Sequence, residues 1–149
     1  MDKTSMKDGQ MKERTPLQSI AALVGVVFLL VGILGFVPGL TTHYGDLSFA
    51  GHDSGAKLLG IFQVSILHNI VHLLFGVVGL VLARSADGAR TFLVGGGAVY
   101  LVLWVIGLVG VGDWIPVNTA DNWLHFALGV GMIGLGFVTS RATTRTATA

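Results

Sequence analysis

The chain contains no cysteine, which excludes disulfides, thiolate metal sites and covalent attachment of a c-type haem. Charge is nearly as scarce. Only 11% of the 149 residues are Asp, Glu, Lys or Arg, against 52% hydrophobic residues, well below the charged share of an ordinary soluble domain. The net charge of +1 provides no basic face for nucleic acid, so no nucleic-acid partner is expected. No serine or carboxylate stands beside a base in a recognisable nucleophile motif, which makes catalysis the weakest reading and a non-enzymatic role the stronger one.

Four stretches lack Asp, Glu, Lys and Arg altogether: 17–40, 58–83, 91–112 and 122–140. About 20 apolar residues suffice to cross a hydrocarbon core of about 30 Å as a helix. The sequence therefore predicts an all-α membrane protein, a four-transmembrane-helix bundle over 16–140 with spans at about 17–37, 58–83, 91–111 and 120–140. The first run is longer than a signal-peptide core and is read as a retained span. Eight of nine basic residues fall on one side of these runs: Lys3, Lys7, Lys12, Arg14, Arg84, Arg90, Arg141 and Arg145, with Lys57 alone opposite. Basic residues concentrate in cytoplasmic connections. Both termini are accordingly expected inside a bacterial cytoplasmic (inner) membrane, with 1–15 and 141–149 as disordered cytoplasmic tails and the lipid bilayer as the first partner. A second copy or another membrane protein is a further possible partner.

Thr15, Pro16 and Gln18 supply an N-cap, an N1 proline and a capping-box glutamine for the first helix, and Pro38-Gly39 end it. The short connection 84–90 makes the second and third helices antiparallel neighbours. The outer connection contains His43, Tyr44, Asp46, His52 and Asp53. Its polar content reads as a solvated loop, with a cap over the mouth of the bundle as the alternative.

Small and polar residues recur at steps of three and four along every span, and this spacing places them on one helical face. Gly25 and Gly32, Gly76 and Gly79, Gly107, and Gly129 and Gly136 are the predicted packing positions. Lipid supplies no hydrophobic drive between helices, so close backbone approach and interhelical hydrogen bonds must hold them together. Inside the two polar helices, Asn69-Ile-Val-His72-Leu-Leu-Phe-Gly76 matches Asn122-Trp-Leu-His125-Phe-Ala-Leu-Gly129. Two repeated hairpins about an axis along the membrane normal produce such a pattern, although the first and third helices show no comparable match. The repeat levels His72 with His125, whereas counting rise from the cytoplasmic arginines levels His68 with it. Both place the polar residues in the outer half.

Ionisable side chains inside a membrane are costly and usually face the bundle interior. His68, Asn69, His72, Asp121, Asn122, His125 and Gln63 form the candidate polar cluster. A structural or accessory role is the first reading. The alternatives are a b-type haem or a divalent metal held by His68, His72 or His125, with Gly76 and Gly129 leaving room for the macrocycle, and a conduit for protons or a small polar solute. No cofactor is expected on the first reading. Asp121 and His125 share a helical face, and Asp121 is also placed to complement the start of its helix.

The run Gly51-His52-Asp53-Ser54-Gly55-Ala56-Lys57-Leu58-Leu59-Gly60, continuing through Phe62, Leu67-His68-Asn69 and Val71-His72-Leu73 to Gly76, carries a resemblance. So does Val117-Asn118-Thr119-Ala120-Asp121-Asn122 with Leu124-His125. Over residues 16–140 the chain resembles a family of small bacterial four-span membrane proteins catalogued as a domain of unknown function. The resemblance implies an integral membrane protein and brings no activity, catalytic residue or cofactor with it.

Overall fold

The structure, a computed structural model, describes residues 14–51, 53–110 and 117–146, with side chains described through Thr139. Four helices dominate it: α1 (Pro16–Leu34), α2 (Ile66–Leu82), α3 (Ala86–Val109) and α4 (Thr119–Thr146). Three of them are long and apolar enough to cross a membrane: Pro16–Leu34, Ala86–Val109 and, within α4, Thr119–Thr139. At 17 residues, α2 is apolar but shorter.

Local chemistry sets the helix ends. Thr15 and Gln18 form the full capping box ahead of α1, each side chain accepting from the other residue's backbone N–H. Ser65 caps α2 by accepting from the His68 N–H, and Ser85 caps α3 by accepting from the Gly88 N–H. These bonds satisfy donors that the first turn of a helix leaves without intrahelical partners.

Helical bounds differ from the charge-free runs at several places. Residues 58–65, assigned by composition to the second span, are not helical. They belong to a three-stranded antiparallel sheet of β1 (Thr41–Thr42), β2 (Lys57–Leu58) and β3 (Phe62–Gln63), which departs from the all-helical expectation. Thr41 pairs with Leu58, and Lys57 with both Thr42 and Gln63. The third helix begins at Ala86, before Arg90, because Ser85 can cap it there. Residues 141–146, expected as part of a disordered tail, continue α4. The expected N-terminal tail up to residue 13, His52, residues 111–116 and residues 147–149 lie outside the described residues.

The connection between α1 and α2, expected to be the outer one, is folded rather than simply solvated. Ala56, Leu58 and Val64 are buried together against Val31 and Leu34 at the end of α1. Ser54 Oγ donates to the Val64 carbonyl at 2.5 Å, and Gln63 Nε2 donates to the Ser54 carbonyl. The carbonyls of Ser48 and Phe49 accept from the Ile66 and Leu67 N–H groups, so this connection itself completes the first turn of α2.

Helix packing is pairwise. The main contacts join α1 to α2 and α3 to α4, with lighter contacts between the pairs. The shared core contains Leu17, Ala21, Phe28, Ala83, Ala89, Phe92, Leu93, Tyr100 and Met132. Large aliphatic residues face outward along every helix, including Leu23, Leu30, Leu74, Val78, Val102 and Val130. That inside-out arrangement suits a lipid surround.

Candidate functional site

The candidate residues occupy the end of the molecule nearest the outer connection. His68 and His72, one turn apart on α2, stack with ring centroids 4.4 Å apart. His72 Nδ1 lies 3.1 Å from the His68 carbonyl. A carbonyl only accepts, so Nδ1 donates and Nε2 is the acceptor of the neutral ring. Phe28 of α1 lies 5.6 Å from His72 and stacks on Tyr100 of α3 at 5.3 Å, while Tyr100 meets His125 of α4 edge-on at 5.2 Å. A continuous series of rings thus links the two polar helices through the two apolar ones.

The asparagines belong to helix seams. Asn69 is fully buried, and its carboxamide lies so close to Gly35 that a Cβ there would collide with it. Asn122 lies in the same way against Gly107. Among the described residues, neither Asn69 amide atom has a hydrogen-bond partner, nor do Asn122 Oδ1, His125 Nδ1 and Trp104 Nε1.

Asp121, also buried, joins the two halves of the chain. Its Oδ2 accepts from the Gln63 N–H at 2.9 Å and from the Asn118 N–H at 3.2 Å. Asn118 Oδ1 accepts from the Asp121 N–H, and Asn118 Nδ2 donates to the Ile61 carbonyl at 2.7 Å. The outer sheet is therefore tied to the first turn of α4 by reciprocal bonds. Gln63 takes part through its backbone N–H, while its side chain donates to the Ser54 carbonyl within the connection.

Glycines make the close crossings. A Cβ on Gly76 would meet Leu29 Cγ at 2.7 Å and the Gly25 carbonyl at 2.8 Å; one on Gly129 would meet Leu101 Cγ at 2.7 Å and the Gly97 carbonyl at 3.0 Å. Gly25, Gly32, Gly79, Gly107 and Gly136 are likewise pressed against a neighbouring helix. The space expected beside Gly76 and Gly129 for a macrocycle is filled by the partner helix, so these residues do not fit a b-type haem there. Among the described residues, no three His, Asp or Glu side chains converge as a metal site needs.

Phe28, Gly35 and the hydrogen bonds of Asn118 join the site without being expected from the sequence. The contacts also correct the expectation that α1 and α3 lack a match. Gly25, Phe28 and Leu29 of α1, with its C-cap Gly35, hold the positions that Gly97, Tyr100, Leu101 and Gly107 hold in α3. The signal was present as Gly-x-Val-(Phe/Tyr)-Leu followed, six residues on, by Gly. The corresponding contacts at Phe28–His72 and Tyr100–His125 follow the register of the asparagine–histidine repeat, not the rise count.

A family model described as a domain of unknown function, DUF4383, matches residues 18–138. No curated protein and no solved structure matches the chain.

Proposed function

The chain belongs to the DUF4383 family, and on that premise we propose that it is a four-span membrane scaffold with a structural or accessory role. In this reading α2 crosses with the three longer helices, and both termini lie in the cytoplasm of a bacterial inner membrane. The molecule consists of two copies of one helical hairpin, α1–α2 and α3–α4, with the outer sheet seated on the paired polar helices.

One observation carries the reading: Asn69, Asn122 and Asp121 sit at the contacts between elements. Asn69 and Asn122 fill the crossings at Gly35 and Gly107, and Asp121 binds the outer sheet to α4. The conduit reading is weaker, because the rings of Phe28 and Tyr100 pack among the same histidines.

Two measurements test the proposal. Alkaline phosphatase fused at Gly45 is expected to be active, and a fusion after Ala149 inactive, with a fluorescent-protein fusion giving the opposite pattern. An active C-terminal phosphatase fusion overturns the orientation. Liposomes carrying the protein are expected to leak protons no faster than empty liposomes, and His125→Ala to leave the rate unchanged. A flux abolished by that substitution replaces the scaffold reading with a conduit.

A further inference from the structure

The outer sheet buries one side and presents aliphatic side chains on another. Leu58 is buried beneath it, whereas Leu40, Leu59 and Ile61 are 40, 58 and 53% exposed. The Leu59 N–H donates to the Leu40 carbonyl at 2.7 Å, which places the β2–β3 turn beside the chain leaving α1.

The turn is conformationally unusual. Leu59 has φ 54° and Gly60 φ 72°. Glycine adopts this left-handed region freely, but a leucine Cβ crowds the following carbonyl there. The Leu59 side chain, more than half exposed, recovers little of that cost by packing within the protein. A strained backbone that displays an aliphatic residue is informative because hairpin turns normally place Asn, Asp or Gly at such positions.

Hydrogen bonds fix the level of the turn. Asn118 Nδ2 donates to the Ile61 carbonyl, and the neighbouring Gln63 N–H donates to Asp121, so the turn stands level with the first turn of α4. Trp123, 57% exposed, lies on the next turn of that helix. Amphipathic aromatic rings of this kind mark the membrane interface. On the other flank, the last turns of α1 expose Leu30 and Ile33 before the chain reaches Leu40. The aliphatic turn thus stands level with the start of α4, where Trp123 is exposed, and beside Leu40 of the chain leaving the exposed Leu30 and Ile33 of α1.

We propose that Leu59 and Ile61, together with Leu40, insert into the outer leaflet at the boundary between headgroups and acyl chains, making the outer sheet a lipid-seated anchor. This inference rests on the spanning reading above. The level of the turn beside Trp123 and the exposure of aliphatic residues on both α1 and the turn favour lipid over a protein partner. Burial of the aliphatic residues in lipid would also offset the backbone strain at Leu59.

The absence of cysteine makes a direct test available. Single substitutions Leu59→Cys, Ile61→Cys, Asp53→Cys and Val102→Cys, each carrying a nitroxide, are reconstituted into phosphatidylcholine–phosphatidylglycerol vesicles. Relaxation by oxygen is then compared with relaxation by a water-soluble nickel chelate. Positions 59 and 61 are expected to favour oxygen several-fold more than position 53, approaching position 102. If they match position 53 while position 102 reports lipid, the anchor is overturned and the spanning reading stands. If position 102 is also aqueous, the spanning reading fails and the anchor with it. Spin–spin broadening at position 59 that disappears on dilution with unlabelled protein identifies a second copy as the occupant and overturns the lipid assignment. Leu59→Asn provides a second check, since Asn tolerates the left-handed region. It is expected to keep the melting temperature in detergent while shifting the label at position 61 toward the nickel chelate; an unchanged label overturns the anchoring role of Leu59.

Discussion

At Gly35 the absence of one methyl group decides how two helices meet, because the Asn69 carboxamide occupies the space a Cβ would need. Gly35→Ala is expected to cost about 1–3 kcal/mol through overpacking. Asn69→Ala in the same chain removes both the collision and two buried polar atoms that have no partner among the described residues. The double variant should therefore be more stable than the sum of the single effects, as measured by unfolding in detergent; strictly additive costs would show that the two residues do not interact. Asp121 is a different kind of contact, a single carboxylate oxygen shared by two backbone donors. Asp121→Ala leaves those donors without their acceptor and is expected to cost about 1–3 kcal/mol. Amide exchange at Gln63 and Asn118 should accelerate while that at Leu93, deep in the core, does not; uniform acceleration across the chain would refute a local latch. The importance of Asp121 for α4 was legible in the sequence from its place near the helix start. Its bond to Gln63 was not, because a backbone donor 58 residues away leaves no trace in composition.

Among the elements, α2 and the sheet preceding it differ most from what apolarity alone suggests. With 17 residues, α2 is about 25 Å long, short of a core of about 30 Å. Leu58, Leu59, Ile61, Phe62 and Val64 give the same hydropathy whether helical or extended, so counting uncharged residues merges them with α2. Burial alternates in the folded chain, with Ala56, Leu58 and Val64 buried and Phe62 half-buried at even positions, but Leu59 and Ile61 at odd positions are equally aliphatic and hide that alternation from the sequence. Helix starts were more legible, since Thr15 and Gln18 name their own bonds. The caps of α2 and α4 give an element-scale prediction. Ser65 holds only the His68 N–H by its side chain, whereas the Asn118 side chain both accepts from Asp121 and donates to Ile61. Ser65→Ala is expected to cost about 1 kcal/mol. Asn118→Ala should cost more and should also free the sheet for limited proteolysis between residues 41 and 63. Equal stability losses with an intact sheet would refute the bridging role of Asn118.

Taken whole, the molecule has two hairpins whose buried positions correspond. Leu17, Ala21, Gly25 and Phe28 of α1 keep one constant offset from Ala89, Leu93, Gly97 and Tyr100 of α3. Asn69, His72 and Gly76 of α2 keep another from Asn122, His125 and Gly129 of α4. The polar half of this repeat is legible in the sequence because Asn and His are rare inside apolar helices. The apolar half is obscured by glycine and valine, which recur in any such helix. The correspondence predicts a pattern of energetic coupling. Gly76→Ala and Gly129→Ala meet the same kinds of atoms, a leucine side chain and a glycine carbonyl. Each is expected to cost about 1–3 kcal/mol. Because the two sites lie in different hairpins, their effects should add within about 0.5 kcal/mol. Val102→Leu, on the exposed face, should change stability little. Phe28 and Tyr100 stack across the junction between the hairpins, so Phe28→Ala and Tyr100→Ala, each expected to cost about 3–5 kcal/mol, should instead be strongly non-additive. Unfolding in detergent of both double variants beside their singles measures this contrast. Coupled glycines with independent rings would mean that the hairpins are not the units from which the molecule is assembled.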